Sequence, residues 1–256
     1  MSSVRRGNLM NYIIFDLEFN QDLTSIQDVS RITSKNPFEI IQIGAIKLDD
    51  NFNTIGTFDR LVKPSIYSKI SLFISELTGI TTEVLLTEEL FPEVYRDYLE
   101  FIGETDTTFC IWGMSDIKEL YKNAEYHRLQ YKSLPTKYIN LQPYTSIYLD
   151  YPLNMLPRLQ VATEELDIPL TYKFHNAFYD AYYTAEIFKK IYSPSMQTKI
   201  YDPTYVSIRP RQPRKIIDTE KLIMQFEKMY DRDMTEEEQE IILLAYKIGK
   251  SNQFLI

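Results

Sequence analysis

The run Tyr12-Ile13-Ile14-Phe15-Asp16-Leu17-Glu18-Phe19 constrains the fold more than any other segment of this chain. Its apolar residues suit a central strand buried on both faces. Strand side chains alternate, so Asp16 and Glu18 project to the same face, one step apart. Two unpaired carboxylates in such a place repel each other and resist desolvation, and a divalent cation removes both penalties. One reading is therefore the lip of a hard-metal site with oxygen ligands. The other is the polar face of an amphipathic strand, with both acids in water.

Around this strand the chain reads as strands first, then strands alternating with helices. Glu39–Leu48 and Thr54–Val62 read as strands two and three, with Asp49-Asp50-Asn51 as the hairpin turn between them. Helical spacing covers Ser71–Thr78 and Thr87–Ile102. Thr107–Trp112 is a short strand, a helix runs from about Asp116 to Leu129, and Tyr138–Leu141 offers a fifth strand. Leu156–Leu166 and Asn176–Tyr192 read as further helices, and Asn20–Asn36 as a long polar loop. This order predicts an α/β mixed sheet covered by helices on both faces. Past Ser193 the texture changes. Ser193–Ile216 holds Pro194, Pro203, Pro210 and Pro213 and reads as an extended connector. Asp218–Tyr230 and Thr235–Gly249 then read as two helices, with a capping box from Thr235 to Glu238.

Composition excludes several classes. A chain of 256 residues with one cysteine, Cys110, and two histidines has no disulfide framework and no cysteine- or histidine-built zinc centre. Cys110 sits in the apolar run Phe109-Cys110-Ile111-Trp112 and reads as a core residue. No stretch reaches the roughly 20 apolar residues of a membrane span, and Met1–Leu9 has no apolar signal core, so the expected compartment is the cytoplasm. The net charge of −8 argues against nonspecific coating of nucleic acid. The charge is uneven, however: Lys189, Lys190, Lys199, Arg209, Arg211, Arg214 and Lys215 stand against Asp202 alone between positions 189 and 216.

Three more residues interrupt apolar patterns. Asp116 follows a strand in Trp112-Gly113-Met114-Ser115-Asp116, where open α/β sheets place their ligands. With Glu119 three residues on, it also fits an N-cap. Asp180, in His175-Asn176-Ala177-Phe178-Tyr179-Asp180-Ala181, shares a helix face with Ala177, Thr184 and Ile187. Ala177, Ala181 and Ala185 form a ridge of small residues that lets this helix approach the sheet and brings Asp180 towards the first strand. The alternative is an acid at the edge of an amphipathic helix. His175 precedes the helix, in a loop near water, as a proton acceptor requires, with Asn176 as a cap.

Taken together, these segments resemble the DEDDh exonucleases, DnaQ-like members of the RNase H-like superfamily. The matching parts are Asp-x-Glu in the first strand, Trp-Gly-x-x-Asp after a middle strand, and His-x-Ala-x-x-Asp-Ala opening a late helix. The run from Phe38 to Asp49 is similar to the family's second strand, and Leu77-Thr78-Gly79-Ile80 to its Leu-Thr-Gly-Ile segment. The opening Asp-Leu-Glu-Phe-Asn-Gln looks most like the KapD and Eri-type branch. The likeness spans Tyr12 to Tyr192.

This resemblance implies an RNase H-like exonuclease domain over 10–192; beyond it, composition and helical spacing alone mark 193–216 as a basic Pro/Arg-rich connector and 217–256 as a helical tail. It implies two Mg²⁺ or Mn²⁺ ions held by Asp16, Glu18, Asp116 and Asp180, with His175 taking a proton from the attacking water. Leu17, Phe19, Leu77, Thr78, Gly79 and Trp112 would meet the terminal nucleotide of a single-stranded 3′ end. Phe19 reads equally as a core aromatic. Two rival readings are a low-turnover binding or regulatory module on the same fold and an editing subunit of a polymerase. For a protein partner, the tail helices are the candidate docking element.

Overall fold

Three strands, β1 (Asn11–Asn20), β2 (Glu39–Leu48) and β3 (Thr54–Leu61), are joined antiparallel. In the computed structural model, which describes residues 10–21, 38–104, 106–152, 154–205 and 218–250, this meander is half of one sheet. Asp49 makes the turn between β2 and β3 by accepting from the backbone N–H groups of Asn51 (2.9 Å) and Asn53 (2.8 Å). Helices α1 (Leu72–Thr78), α2 (Thr82–Leu85) and α3 (Phe91–Ile102) follow. Strand β4 (Thr107–Ile111) then pairs parallel to β1. Past α4 (Ser115–Tyr126), β5 (Lys137–Asn140) pairs parallel to β4. Helices α5 (Leu141–Tyr148), α6 (Leu159–Glu165) and α7 (Ala177–Ile191) precede β6 (Lys199–Ile200), which runs antiparallel to β5. The order is β3-β2-β1-β4-β5-β6, the mixed sheet expected from the sequence.

Alternation along β1 decides what each face does. Ile13, Phe15 and Leu17 pack with Val94, Tyr95 and Tyr98 of α3 and with Ile117 and Leu120 of α4. Tyr12 and Ile14 pack with Cys110, Ala185 and Phe188 on the α7 side. Burying each such large apolar side chain stabilises by about 1.5–3 kcal/mol, so the register of β1 is firmly held. Asp16 and Glu18 continue the even-numbered face, towards α7. Cys110 is fully buried, and burial pushes its thiol pKa up, as a core residue requires.

Some boundaries differ from the sequence reading. The helix expected over Thr87–Ile102 starts only at Phe91, with Pro92 in its first turn. Helix α5 was not expected at all. It starts where Asn140 accepts from Gln142 N–H (3.2 Å), and its Pro143 sits in the first turn, where a missing donor costs nothing. The helix expected from Leu156 starts at Leu159.

The connector also divides. Up to Tyr201 it is tied to β5 and its neighbouring helices: Gln197 N–H donates to Tyr144 Oη (2.9 Å), Tyr201 N–H donates to Thr136 C=O (2.7 Å), and the Tyr201 ring packs on Tyr121. The chain separates into two units between Tyr205 and Val206. Arg209, Arg211, Arg214, Lys215 and most of the expected loop Asn20–Asn36 lie outside the described residues.

In the second unit, α8 (Thr219–Tyr230) and α9 (Glu236–Lys250) are joined by an elbow. Thr235 N–H donates to Glu238 Oε2 (2.9 Å) and Glu238 N–H to Thr235 Oγ1 (3.3 Å), the expected capping box. Among the described residues no helix is long and apolar enough to cross a membrane.

Candidate active site

Asp16 pairs with Gly44 across β1 and β2. Gly44 has no side chain, and the space is used: a Cβ there would stand 2.1 Å from Ala177 C and from Phe178 N. The first turn of α7 therefore rests directly on the β2 backbone. Gln42, opposite Glu18, fastens that turn by accepting from Ala177 N–H at 3.1 Å, while its own amide donates to Asp59 Oδ1 at 2.8 Å. Ala177, Ala181 and Ala185 are all fully buried, so the ridge of small residues does face the sheet. Asp180, one turn into α7, is thereby lowered onto Asp16 and Glu18. Carboxylate oxygens of Asp16, Glu18 and Asp180 lie within 4.8 Å of one another.

Crowding and burial drive their acidities in one direction. Burial raises the Asp16 pKa well above the ordinary carboxylate range, and the charges of Asp116, Asp180 and Glu18 add to it. Burial, then Asp180 and Asp116, push Glu18 up to about 8. Asp116 and Asp180 are each raised to about 7, chiefly by burial. Four carboxyls so disposed favour whatever supplies positive charge among them.

The donor set fits a hard divalent cation. Three oxygen ligands converge, and Asp180 Oδ1 is buried with no hydrogen-bond partner among the described residues while Oδ2 accepts from His175 N–H at 3.1 Å. Asp116 stands outside the group of three, close enough for its charge to act on Asp16 and Glu18. It is the second residue of α4, not its cap, and is buried. Its turn is fixed by Gly113, at φ 87°, whose N–H donates to Asn140 Oδ1 at 3.0 Å. Trp112 is half-buried against the core clusters that include Leu141 of α5 and Ala185, Ile187 and Phe188 of α7, and its indole N–H is buried without a partner among the described residues.

His175 is exposed, in the left-handed conformation (φ 64°), with Asn176 capping α7 by accepting from the N–H groups of Phe178 and Tyr179. Burial of part of the ring lowers its pKa, which keeps the imidazole neutral and able to accept a proton at neutral pH.

The residues expected around a terminal nucleotide are less uniform. Leu77 is exposed at the end of α1. Thr78 spends its hydroxyl internally, donating to Ile74 C=O (2.8 Å) and accepting from Ile80 N–H (3.0 Å). Gly79 (φ 77°) caps α1, its N–H on Ser75 C=O. The Leu17 side chain is buried in the core on the face opposite the acids, so only its backbone can face a ligand. Phe19 packs against that same core, 6.2 Å from Phe38, which favours the reading as a core aromatic.

Over residues 13–188 the sequence matches the model of a known family, RNase_T, described as exonuclease. The chain belongs to the exonuclease family. It is 26% identical over 172 residues to 3′-5′ exoribonuclease 1 of Rattus norvegicus, covering 63% of this chain and 49% of that protein. It is 30% identical over 178 residues to DNA polymerase III PolC-type of Clostridium perfringens, covering 70% of this chain and 11% of that protein. The matched region thus spans about half the length of the first relative and a small part of the second. The fold is shared with the nuclease domain of 3′hExo, a DEDDh family member bound to rAMP (TM-score 0.61, 20% identity, 77% of this chain and 98% of that one). It is shared too with cell-death related nuclease 4 (TM-score 0.59, 21% identity, 70% and 62%).

In this family member, the arrangement of the site depends on three residues that the sequence reading did not single out: Gly44, Gln42 and Asn20. Glycine inside a strand pattern is itself a signal of close backbone approach. Asn20 is fully buried at the end of β1, donating to Lys69 C=O (3.0 Å) and accepting from Ser71 N–H (3.2 Å). It ties the start of α1, and so the Leu77-Thr78-Gly79 corner, to the strand that carries the acids.

Proposed function

We propose that this chain is a divalent-metal-dependent 3′–5′ exonuclease that releases nucleoside 5′-monophosphates from single-stranded nucleic acid. The observation that carries it is the convergence of Asp16, Glu18 and Asp180 within 4.8 Å beside an exposed histidine whose backbone is tied to Asp180. Asp16, Glu18 and Asp180, with Asp116 nearby, would hold two Mg²⁺ or Mn²⁺ ions. Such ions, when bound, supply the positive charge that offsets charge building on phosphorus-bound oxygens.

The protein's own residues do the rest. A ring nitrogen of His175 accepts the proton of a water attacking phosphorus; the P–O3′ bond breaks, the departing O3′ takes a proton from solvent, and the products are a 5′-monophosphate and a chain shortened by one, ending in a 3′-hydroxyl. The exposed corner at Leu77, Thr78 and Gly79, with Trp112 at the end of β4, would receive the terminal nucleotide. RNA and DNA are both admitted as substrates: rAMP is named with 3′hExo, and a dA16 oligonucleotide with Escherichia coli exonuclease I, a fold neighbour at TM-score 0.52.

The test compares end-labelled RNA and DNA oligonucleotides, single- and double-stranded, with Mg²⁺, with Mn²⁺ and with chelator. Metal-dependent release of mononucleotides from single strands is expected. Tight binding without release would establish a binding module instead. The PolC-type match supports a second reading, an editing subunit. It predicts co-purification with a polymerase and faster removal of a mispaired 3′ end than of a paired one.

A further inference from the structure

His175 has no side-chain hydrogen bond among the described residues, so the position of its ring depends on how its loop is held. We propose that Tyr183 is the positioning residue that holds it, an inference that rests on the role of His175 proposed above. Tyr183 is on α7, two turns past His175, and is fully buried. Its hydroxyl spends both capacities on one loop residue: it accepts from Tyr172 N–H at 2.7 Å and donates to Tyr172 C=O at 2.8 Å. Its ring stacks on Phe174, with centroids 4.7 Å apart and planes 27° apart.

One side chain thus fixes the backbone three residues before His175 and the ring directly before it. A second lock reinforces the first. Tyr172 lies parallel on Tyr179 (4.3 Å, 1°) and edge-on to Tyr182 (5.4 Å, 89°). On the far side of His175, Asn176 is held as the cap of α7.

These anchors explain how a histidine keeps a left-handed backbone. That conformation is uncommon for a residue with a Cβ and persists only where its surroundings over-determine it. Here the loop is gripped on both sides by a single helix, the same helix that carries Asp180. The distance between the proton acceptor and the acid cluster is therefore set within α7 and its preceding loop. A phenylalanine at 183 would fill the same core volume and keep the stack on Phe174 but release Tyr172. That separates positioning from packing.

The experiment is Tyr183→Phe, alone and with His175→Ala. With His175 present, kcat should fall about 10- to 100-fold, the scale expected for slight misplacement of a reacting group. KM and Mn²⁺ affinity should stay at wild-type values. In the His175→Ala background, Tyr183→Phe should add no further loss, because nothing is left to position. Amide exchange at Tyr172 through His175 should quicken. Tyr172→Ala, which keeps the clamp but loses the stack on Tyr179, should lower kcat by a smaller factor.

Three results would overturn the proposal: a wild-type kcat for Tyr183→Phe, an equal loss in both backgrounds, or a Tyr172→Ala defect confined to KM, which would make Tyr172 a substrate contact. If the wild-type protein releases no nucleotide, the proposed function fails on its own. The exchange rates then decide alone: faster exchange supports the clamp, and unchanged exchange overturns it.

Discussion

At the centre of the sheet, burial raises the pKa of Asp16, Glu18, Asp116 and Asp180, and neighbouring acids add to it for the first three, whereas in the α8–α9 elbow Glu238 is drawn down to about 2 by Arg232 and by the N–H of Thr235. Glu238 receives both guanidinium nitrogens of Arg232, at 2.9 and 2.5 Å, and a backbone donor. The central acids have no Lys or Arg paired with them among the described residues. The same functional group is thus satisfied in one region and left in need in the other. A fold keeps unsatisfied buried charge only where something else repays it, and here that place is the site.

The largest test of this contrast is Asp16→Asn. Release of nucleotide from an end-labelled strand should drop to the blank. In chelator the melting temperature should rise, because one mutually repelling carboxylate is gone. A variant that still digests at the wild-type rate would remove Asp16 from the site.

Next is His175→Ala, expected to lower turnover by about 10²–10⁴-fold while calorimetric titration with Mn²⁺ stays near wild type. Lost metal affinity would make His175 a ligand.

Gly44→Ala asks whether the helix contact creates the contrast. Overpacking should cost about 1–3 kcal/mol or more, lowering the melting temperature by roughly 3–10 °C in a domain of this size, with activity falling as Asp180 is displaced. Unchanged melting and activity would show that α7 is positioned by other contacts.

The two regions should also titrate in opposite directions. A carboxyl whose pKa is higher folded than unfolded holds its proton more tightly in the native state. Its stabilisation is complete below the unfolded value, near 4, and is lost as pH rises through about 7 for Asp116 and Asp180 and about 8 for Glu18. Chelator-treated protein should therefore melt higher at pH 5.5 than at pH 8, and Mn²⁺ should recover the difference at pH 8. Glu238 does the reverse: its contribution is present above the unfolded value, near 4.3, and is lost as pH falls towards about 2. The smallest effect is expected from Glu238→Gln, which should erase part of that acid limb in thermal melts and leave nuclease rates unchanged.

How much of this was legible beforehand follows from range. Strand β2 is rich in isoleucine and lies between clear turn signals, and its limits, Glu39 and Leu48, are the expected ones. The ridge of alanines was readable because helical spacing is local. The acids were readable as a set because each interrupts an apolar pattern. Gly44 and Gln42 were not, since their partner Ala177 lies 135 residues from Gln42. Helix α5 was missed because its signal is a single cap, Asn140, followed by a proline that looks like a stop. Asp116 with Glu119 three residues on has the spacing of a capping box, yet Met114 is the cap, because the Gly113 turn sets the start of α4 two residues earlier. The left-handed backbone of His175 depends on Tyr183, and no local pattern encodes it.

The sheet's two margins, finally, bear on whether the protein can polymerise through its strands. On one side β6 gives β5 a short partner and then leaves, so there is little ladder for a foreign strand to extend. On the other, β3 is outermost among the described strands and carries Asp59, bonded to Gln42, and Arg60, paired with Glu89 and Asp97. An incoming strand would have to crowd those charges. The molecule should therefore be a poor seed for edge-to-edge aggregation, even though Ile55 is exposed on that strand.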